Sequence, residues 1–431
     1  MHADETARPF GLWMATALVV GGMIGAGIFV MPAQLAPLGA TGPAAWLVAI
    51  GGALVLAWLL SRLTAMRPAS TGAIAICAEA MGPLAGVLIG WSYWIGIWSA
   101  NAIISITAAR YLSVFVPALR ASPLRLALAA TALIWLMTLL NLRGAKTAGW
   151  FQVATTALKL LPLLAVVAIL VGLAFSGGAA FIAYPHAAFS AGQVTPALTL
   201  AFFAVVGFEG ASLVTERVRD PARNVVRATL AGLAVTGLIY IIVCTGIDYA
   251  LPQDVAASAT APIALFVERF WGEWASLAVA AFAVIATVGC LNGWVLVQGE
   301  LPLGMARAGL LPRWFARTSS ADVPVRVLLL ASTLASILVL SNASNGTAGL
   351  LDFMLRLTAA ATLWFYGGVC VAAWRFGVAR GAALIGLAFT VWVMWGSGEA
   401  GLWSALLMVS AAPLYWLRPR DTASAAEPAL G

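Results

Sequence analysis

Residues 21–29 read GGMIGAGIF, and residues 203–210 read FAVVGFEG. Each run lies inside a long apolar stretch and interrupts it with glycine. Glycine in a membrane helix can simply let helices pack closely. Two such runs at corresponding places in two halves of a chain point instead to interrupted helices around a transport site. A helix that unwinds in hydrocarbon exposes N–H and C=O groups that lipid cannot satisfy, so the break persists only beside a cavity or a ligand. Amides after the first break, at Gly25, Ala26 and Gly27, head a half-helix and favour a carboxylate. Carbonyls that end the half-helix before Gly207 favour an ammonium. An α-amino acid carries both charges a short distance apart.

The composition outside these runs is that of a membrane protein. The chain has 431 residues, 62% hydrophobic and 9% charged, against roughly 25% charged in a soluble domain. A water-soluble enzyme, a disordered chain and a nucleic-acid binder are excluded, and the net charge of +7 does not imply a nucleic-acid partner. A hydrocarbon core of about 30 Å needs roughly 20 helical residues. Apolar segments of that order occur at 12–36, 42–61, 84–118, 126–142, 150–175, 194–215, 226–250, 275–303, 326–341, 351–374, 381–397 and 400–417. The fold expected is an all-α integral membrane protein of about 12 spans. A short surface helix is expected in the outer loop around 250–274.

Charge placement orients the spans. With the N-terminus in the cytoplasm, 17 of the 23 basic residues fall on the cytoplasmic side, including Arg62, Lys146, Arg217, Arg223, Arg313 and Arg418. Three fall outside: Arg120, Arg125 and Arg269. This asymmetry follows the positive-inside rule and places both termini in the cytoplasm. Residues 1–10 read as a cytoplasmic N-terminus without a basic leader, and 419–431 as a cytoplasmic tail.

Four charges fall well inside the spans. Glu209 lies mid-span, where a carboxylate costs on the order of 3 kcal/mol and burial favours the neutral acid. Its protonation is expected to bias the inward–outward equilibrium, so a proton is a candidate coupling ion; a structural tie between helices is the alternative. Lys159 lies roughly 14 Å into span 5, counting from residue 150 at roughly 1.5 Å per residue, too deep for easy snorkelling. Arg110 and Arg356 lie near outer ends, where snorkelling is expected. If Arg356 faced the pathway, it would repel cationic substrates.

No cofactor or metal is expected. Cys77, Cys244, Cys290 and Cys370 are far apart, and His2 and His186 are remote from one another, so neither a disulfide framework nor a metal set is formed. A membrane enzyme would need a nucleophile and base at one depth, and a channel a repeated filter loop; the sequence has neither. A transport-inactive amino acid sensor stays open.

Several stretches resemble a known family. GGMIGAGIFVMPAQLA at 21–36, YWIGIWSAN at 93–101, GFEGAS at 207–212, RDPARNVVRAT at 219–229, NGW at 292–294 and ARAGLLPRWFAR at 306–317 occur in order. The set resembles the amino acid–polyamine–organocation (APC) superfamily, and within it the bacterial arginine/agmatine antiporters and their basic amino acid/polyamine relatives. The resemblance implies a LeuT-type fold: two inverted five-helix repeats with spans 1 and 6 broken, here a transport core over 11–375, then two additional spans over 376–418.

Residue roles follow by the same resemblance. Gly25, Ala26 and Gly27 match the triplet that binds the substrate carboxylate, with Ala26 where the antiporters have serine. Val206 matches the carbonyls that meet the α-ammonium, and Phe203 an aromatic lid that is tryptophan in those relatives. Asn101 and Trp294 match the groups that recognise an arginine side chain, Gly96 a small pocket residue and Tyr93 a tyrosine near the site. Gly22 replaces an asparagine. Asn101 as a helix tie, and Trp294 and Phe203 as packing, are the plainer alternatives. Glu209 matches a glutamate linked to proton-dependent transport. Lys159 matches a lysine that in some members stands in for a sodium ion, joining span 5 to span 1.

The function expected is alternating-access secondary transport in the bacterial inner membrane. The exchanged pair is a cationic amino acid and a related amine or amino acid, sodium-independent and pH-sensitive. A proton-coupled permease or exporter for neutral amino acids is the alternative. Membrane lipid is the surrounding partner, and the antiporters' dimers make a homodimer an expectation.

Overall fold

Hydrocarbon leaves the backbone no partner but itself, which favours helices, and every regular element here is helical among the described residues. The computed structural model describes residues 11–67, 72–143, 158–176, 186–213, 218–344 and 347–418. The expected cytoplasmic ends at 1–10 and 419–431, the first part of span 5, Lys146 and Arg217 lie outside these residues.

The first span is two pieces, α1 (Leu12–Met23) and α2 (Ala26–Leu35); α1 and the apolar stretch running from α2 to Leu38 meet at 46°. α3 (Thr41–Met66), the short α4 (Ala73–Met81), α5 (Pro83–Leu112), α6 (Pro123–Leu142) and α7 (Leu161–Phe175) follow. A second divided segment comprises α8 (Ala191–Val205) and α9 (Gly210–Leu213). Then come α10 (Pro221–Ala250), α11 (Gln253–Ser258), α12 (Pro262–Trp271), α13 (Glu273–Arg307), α14 (Val325–Ser344) and α15 (Thr347–Arg375). The described chain closes with α16 (Arg380–Gly396), α17 (Glu399–Val409) and α18 (Ala412–Trp416).

Among the described residues six helices are long and apolar enough to cross a membrane, in α3, α5, α6, α10, α13 and α15, or eight if the two bent pairs each count as one. The second bent pair turns by 111° after α16. Span 3 is shorter than the apolar run suggests. Its helix stops at Leu112, where the Ser113 hydroxyl turns back onto the Arg110 carbonyl at 2.6 Å, offering the backbone an alternative to the helix. The loop at 250–274 holds two short helices rather than one. α11 leaves Asp254, Val255 and Ser258 exposed, while α12 buries Ile263, Phe266 and Val267 against α7 and α13 and leaves Glu268, Arg269 and Trp271 exposed.

Trp13, Phe175, Trp274 and Trp395 are exposed at the ends of α1, α7, α13 and α16, as aromatic rings at the two membrane interfaces would be. Between them Leu128 and Leu136 of α6 face outward, a surface suited to lipid. Inside, α5 packs on α13 and α15, α8 on α2, and α9 on α1. The two interrupted segments therefore lie side by side, against the wall that α5, α13 and α15 make.

Candidate functional site

The first break falls at Ile24 and Gly25, where the backbone is extended. A helix end leaves its last four carbonyls without intrahelical donors, and at α1 side chains from afar take two of them. The Gly21 carbonyl accepts from Lys159 Nζ at 3.1 Å, and the Met23 carbonyl from the Tyr240 hydroxyl at 2.7 Å. The Val20 carbonyl accepts from the Ile24 amide at 2.9 Å. Lys159 is 1% exposed, so it does not snorkel; it ties the start of α7 to α1.

The second break spans Val206 to Glu209. Val206 is extended, and Gly207 has φ of 113°, which side-chain-bearing residues adopt only with strain. The two segments cross closely. A Cβ on Gly27 would lie 2.6 Å from Cα of Ala204, so α2 and α8 touch backbone to backbone. A Cβ on Gly22 would lie 3.0 Å from the Gly207 oxygen. Glycine in place of asparagine at Gly22 thus has a packing reason.

A cavity of about 40 Å³ lies at this crossing. It is lined by Gly22, Met23, Gly25, Ala26 and Gly27 of the first break, Phe203, Ala204 and Val206 of the second, Tyr93, Gly96, Ile97, Ala100 and Ile104 of α5, Cys290 and Trp294 of α13, and Thr358 and Thr362 of α15. Eight of the residues singled out in the sequence are thereby brought together: Gly25, Ala26, Gly27, Tyr93, Gly96, Phe203, Val206 and Trp294. The N-terminal amides of α2 and the C-terminal end of α8 both meet the cavity, giving it a positive and a negative pole. Gly96 admits α15: a Cβ there would lie 2.7 Å from Cγ2 of Thr362.

Three residues singled out in the sequence stand beside the cavity rather than on its wall. Glu209 is 1% exposed. It accepts from the Tyr93 hydroxyl, the Tyr366 hydroxyl at 2.8 Å and the Gly207 amide at 3.1 Å. Three donors on one carboxylate offset much of its desolvation. Tyr93 joins this cluster to the cavity, since it lines one and bonds the other. Lys159 lies behind α1. Asn101 is fully buried and donates from Nδ2 to Gln298 Oε1 at 2.8 Å.

Tyr366, Thr358, Thr362, Cys290 and Gln298 are parts of this region that the sequence did not mark. Each sits on a helix whose apolar pattern does not show which face turns inward. Arg356 is tied down rather than snorkelling. Its Nε and Nη2 reach Asp352 at 2.7 and 3.1 Å, and Nη1 reaches the Gly396 carbonyl at 2.9 Å. Arg110 is partly buried in the last turn of α5, where a cation meets the negative helix end.

Residues 10–422 match the family model described as amino acid permease. The cadaverine/lysine antiporter of Escherichia coli K12 is 32% identical over 384 residues, covering 86% of this chain and 84% of that protein. A putative arginine/ornithine antiporter of Bacillus subtilis is 30% identical, covering 83% and 82%. An arginine/ornithine antiporter of Latilactobacillus sakei is 30% identical, covering 78% and 72%. The chain belongs to the amino acid permease family, within the APC superfamily, and is similar to that superfamily's basic amino acid/polyamine antiporters.

Proposed function

We propose that this protein exchanges a cationic amino acid for a related amine or amino acid, without sodium and with a rate that depends on pH. The observation that carries the reading is the crossing of the two interrupted segments around one cavity, with amides at one pole, carbonyls at the other and Trp294 on the wall. The poles suit the α-carboxylate and α-ammonium. The Trp294 ring suits a second cation on the side chain. The names of the relatives favour the same class of substrate. Lys159 supports sodium independence, because its ammonium occupies the Gly21 carbonyl. Glu209 supports pH sensitivity, because it is a carboxyl bonded to the cavity residue Tyr93.

The frame for this exchange is twelve spans in the bacterial inner membrane, as two inverted repeats of five and two further spans, with both termini cytoplasmic. Helices at each of the twelve apolar segments support that count, and the distribution of arginine supports the orientation.

One observation favours a second reading. Among the described residues the cavity wall includes no Asp or Glu, so none of them neutralises a second positive charge, and a neutral amino acid would fit without that cost. Proteoliposomes loaded in turn with arginine, agmatine, lysine, cadaverine, leucine and alanine, tested against a labelled panel at two pH values, separate the two. Exchange confined to cationic partners supports the first reading. Exchange confined to leucine and alanine overturns it in favour of the second. No counterflow with any of them indicates a sensor.

A further inference from the structure

Cys290 of α13 stands at the amide pole of the cavity. It lines the wall and is a free thiol. α2 begins at Ala26 and its N-cap is Gly25, which has no side chain to serve the amides that a helix start leaves unpaired. Cys290 takes that place from another helix. A Cβ on Gly25 would lie 2.5 Å from Cys290 Sγ, so the sulfur fills the room of the missing cap. The Ala26 amide and the Trp294 indole N–H both bear on that sulfur as donors.

A thiol sulfur is a weak acceptor. A carboxylate at the same amide makes a charge-assisted bond, roughly twice as strong as a neutral one. An amino acid therefore displaces the sulfur from Ala26 and keeps the amide paired. An amine that lacks the carboxylate brings no acceptor to this pole. Closing the site around it expels water, and an amide left bare there would count against the bound state. With Cys290 in place the amide is not left bare, because the sulfur stays on it. Gly25 belongs to the same device, since a side chain there would push the sulfur away.

We propose that Cys290 is a specificity-determining residue: its sulfur stands in for the substrate carboxylate at the Ala26 amide, so that one site accepts both a cationic amino acid and the amine that lacks its carboxylate. The inference rests on the exchange reading above, and adds how a pole built for a carboxylate tolerates a substrate without one.

The test is exchange in proteoliposomes by the full chain and two variants, with labelled lysine and labelled cadaverine, which differ by this one group. The readout is the ratio of kcat/KM for lysine to that for cadaverine, with arginine and agmatine as a second pair. Cys290→Ala leaves the amide with water alone in the open site and with nothing once an amine closes it. The ratio is expected to rise about fivefold, through loss of cadaverine exchange. Cys290→Ser puts a stronger acceptor in the sulfur's place, which the carboxylate must displace. The ratio is then expected to fall about twofold, through lysine. Serine is close to cysteine in size, so this variant serves if Cys290→Ala does not fold. A packing role would move both substrates together. A ratio that stays at the wild-type value in either variant overturns the stand-in and leaves the exchange reading standing. A wild-type protein that exchanges cationic amino acids but neither amine does the same. A wild-type protein that exchanges no cationic substrate overturns both.

Discussion

Gly22 and Gly207 meet backbone to backbone where the two interrupted segments cross. A Cβ on Gly207 would stand 2.7 Å from the Gly22 carbonyl oxygen, and φ of Gly207 is 113°. No side chain at this contact can turn aside. Gly207→Ala is therefore expected to cost about 1–3 kcal/mol and to abolish exchange. Gly22→Ala lies within α1 and meets a longer contact of 3.0 Å, so it should slow exchange without stopping it. Thermal unfolding in detergent, run beside counterflow, checks both. A Gly207→Ala protein that exchanges at the wild-type rate would remove this crossing from the mechanism.

Glu209 is the link between the cavity and a charge that can change. Tyr93, Tyr366 and the Gly207 amide all donate to it. Protonation puts a donor where three donors already converge, so the cluster must rearrange at the second break. Glu209→Gln keeps the shape and removes the titration. Its exchange rate is expected to be lower and to lose its dependence on pH. Initial rates over a pH series measure it, and an unchanged profile would assign the pH response elsewhere.

Lys159 donates to the Gly21 carbonyl at 3.1 Å from a fully buried place. Replacing sodium with choline on both sides of the membrane is expected to leave wild-type exchange unaltered. Lys159→Ala strips the carbonyl of its partner, a loss of about 1.5–3 kcal/mol for a bond to a charged group, and exchange should fall about tenfold or more. A wild-type protein that stops in choline would show that the ammonium does not fill the cation's place.

The parts that could be read before folding were those that hydrocarbon forbids without a reason. Broken helices at Gly25 and Gly207, and charges at Lys159 and Glu209, are costly anywhere else in a membrane span, so their presence alone marked them. Asn101 shows the limit. The family resemblance placed it near the site, but its bond to Gln298 required the register of α5 against α13, which no apolar pattern contains. Tyr366 was silent for the same reason: a tyrosine is at home in any span, and only the packing of α15 turns it onto Glu209. Arg356 was visible as a charge, yet Asp352 one turn earlier was not read as its partner.

Trp294 is expected to distinguish charge from size. Its ring lines the cavity, and a cation held over a desolvated indole gains on the order of 1–2 kcal/mol. Trp294→Leu should raise KM for lysine about 5- to 30-fold by that measure, and Trp294→Phe by less. Leucine, if it is taken at all, should respond weakly. Equal losses for both substrates would make Trp294 a packing residue.

Arg356 ties α15 to α16 and α8 by shape rather than by charge. Its guanidinium grips Asp352 with two nitrogens and reaches the carbonyl of Gly396, at the end of α16, at 2.9 Å. It also approaches the Pro196 carbonyl of α8 at 3.4 Å. α8 carries Phe203, which lines the cavity. The approach of α16 to α8 is close enough that a Cβ on Gly396 would lie 2.4 Å from Thr199 Oγ1. With Asp352 paired, little positive field is left to repel a cationic substrate. Arg356→Lys keeps the charge but loses the planar fork, so it should behave like Arg356→Ala: lower melting temperature, altered exchange rate and no gain in affinity for lysine. If repulsion were the role, Ala would lower the lysine KM and Lys would match the wild type. Michaelis constants for the two variants therefore decide between a latch on α8 and an electrostatic barrier.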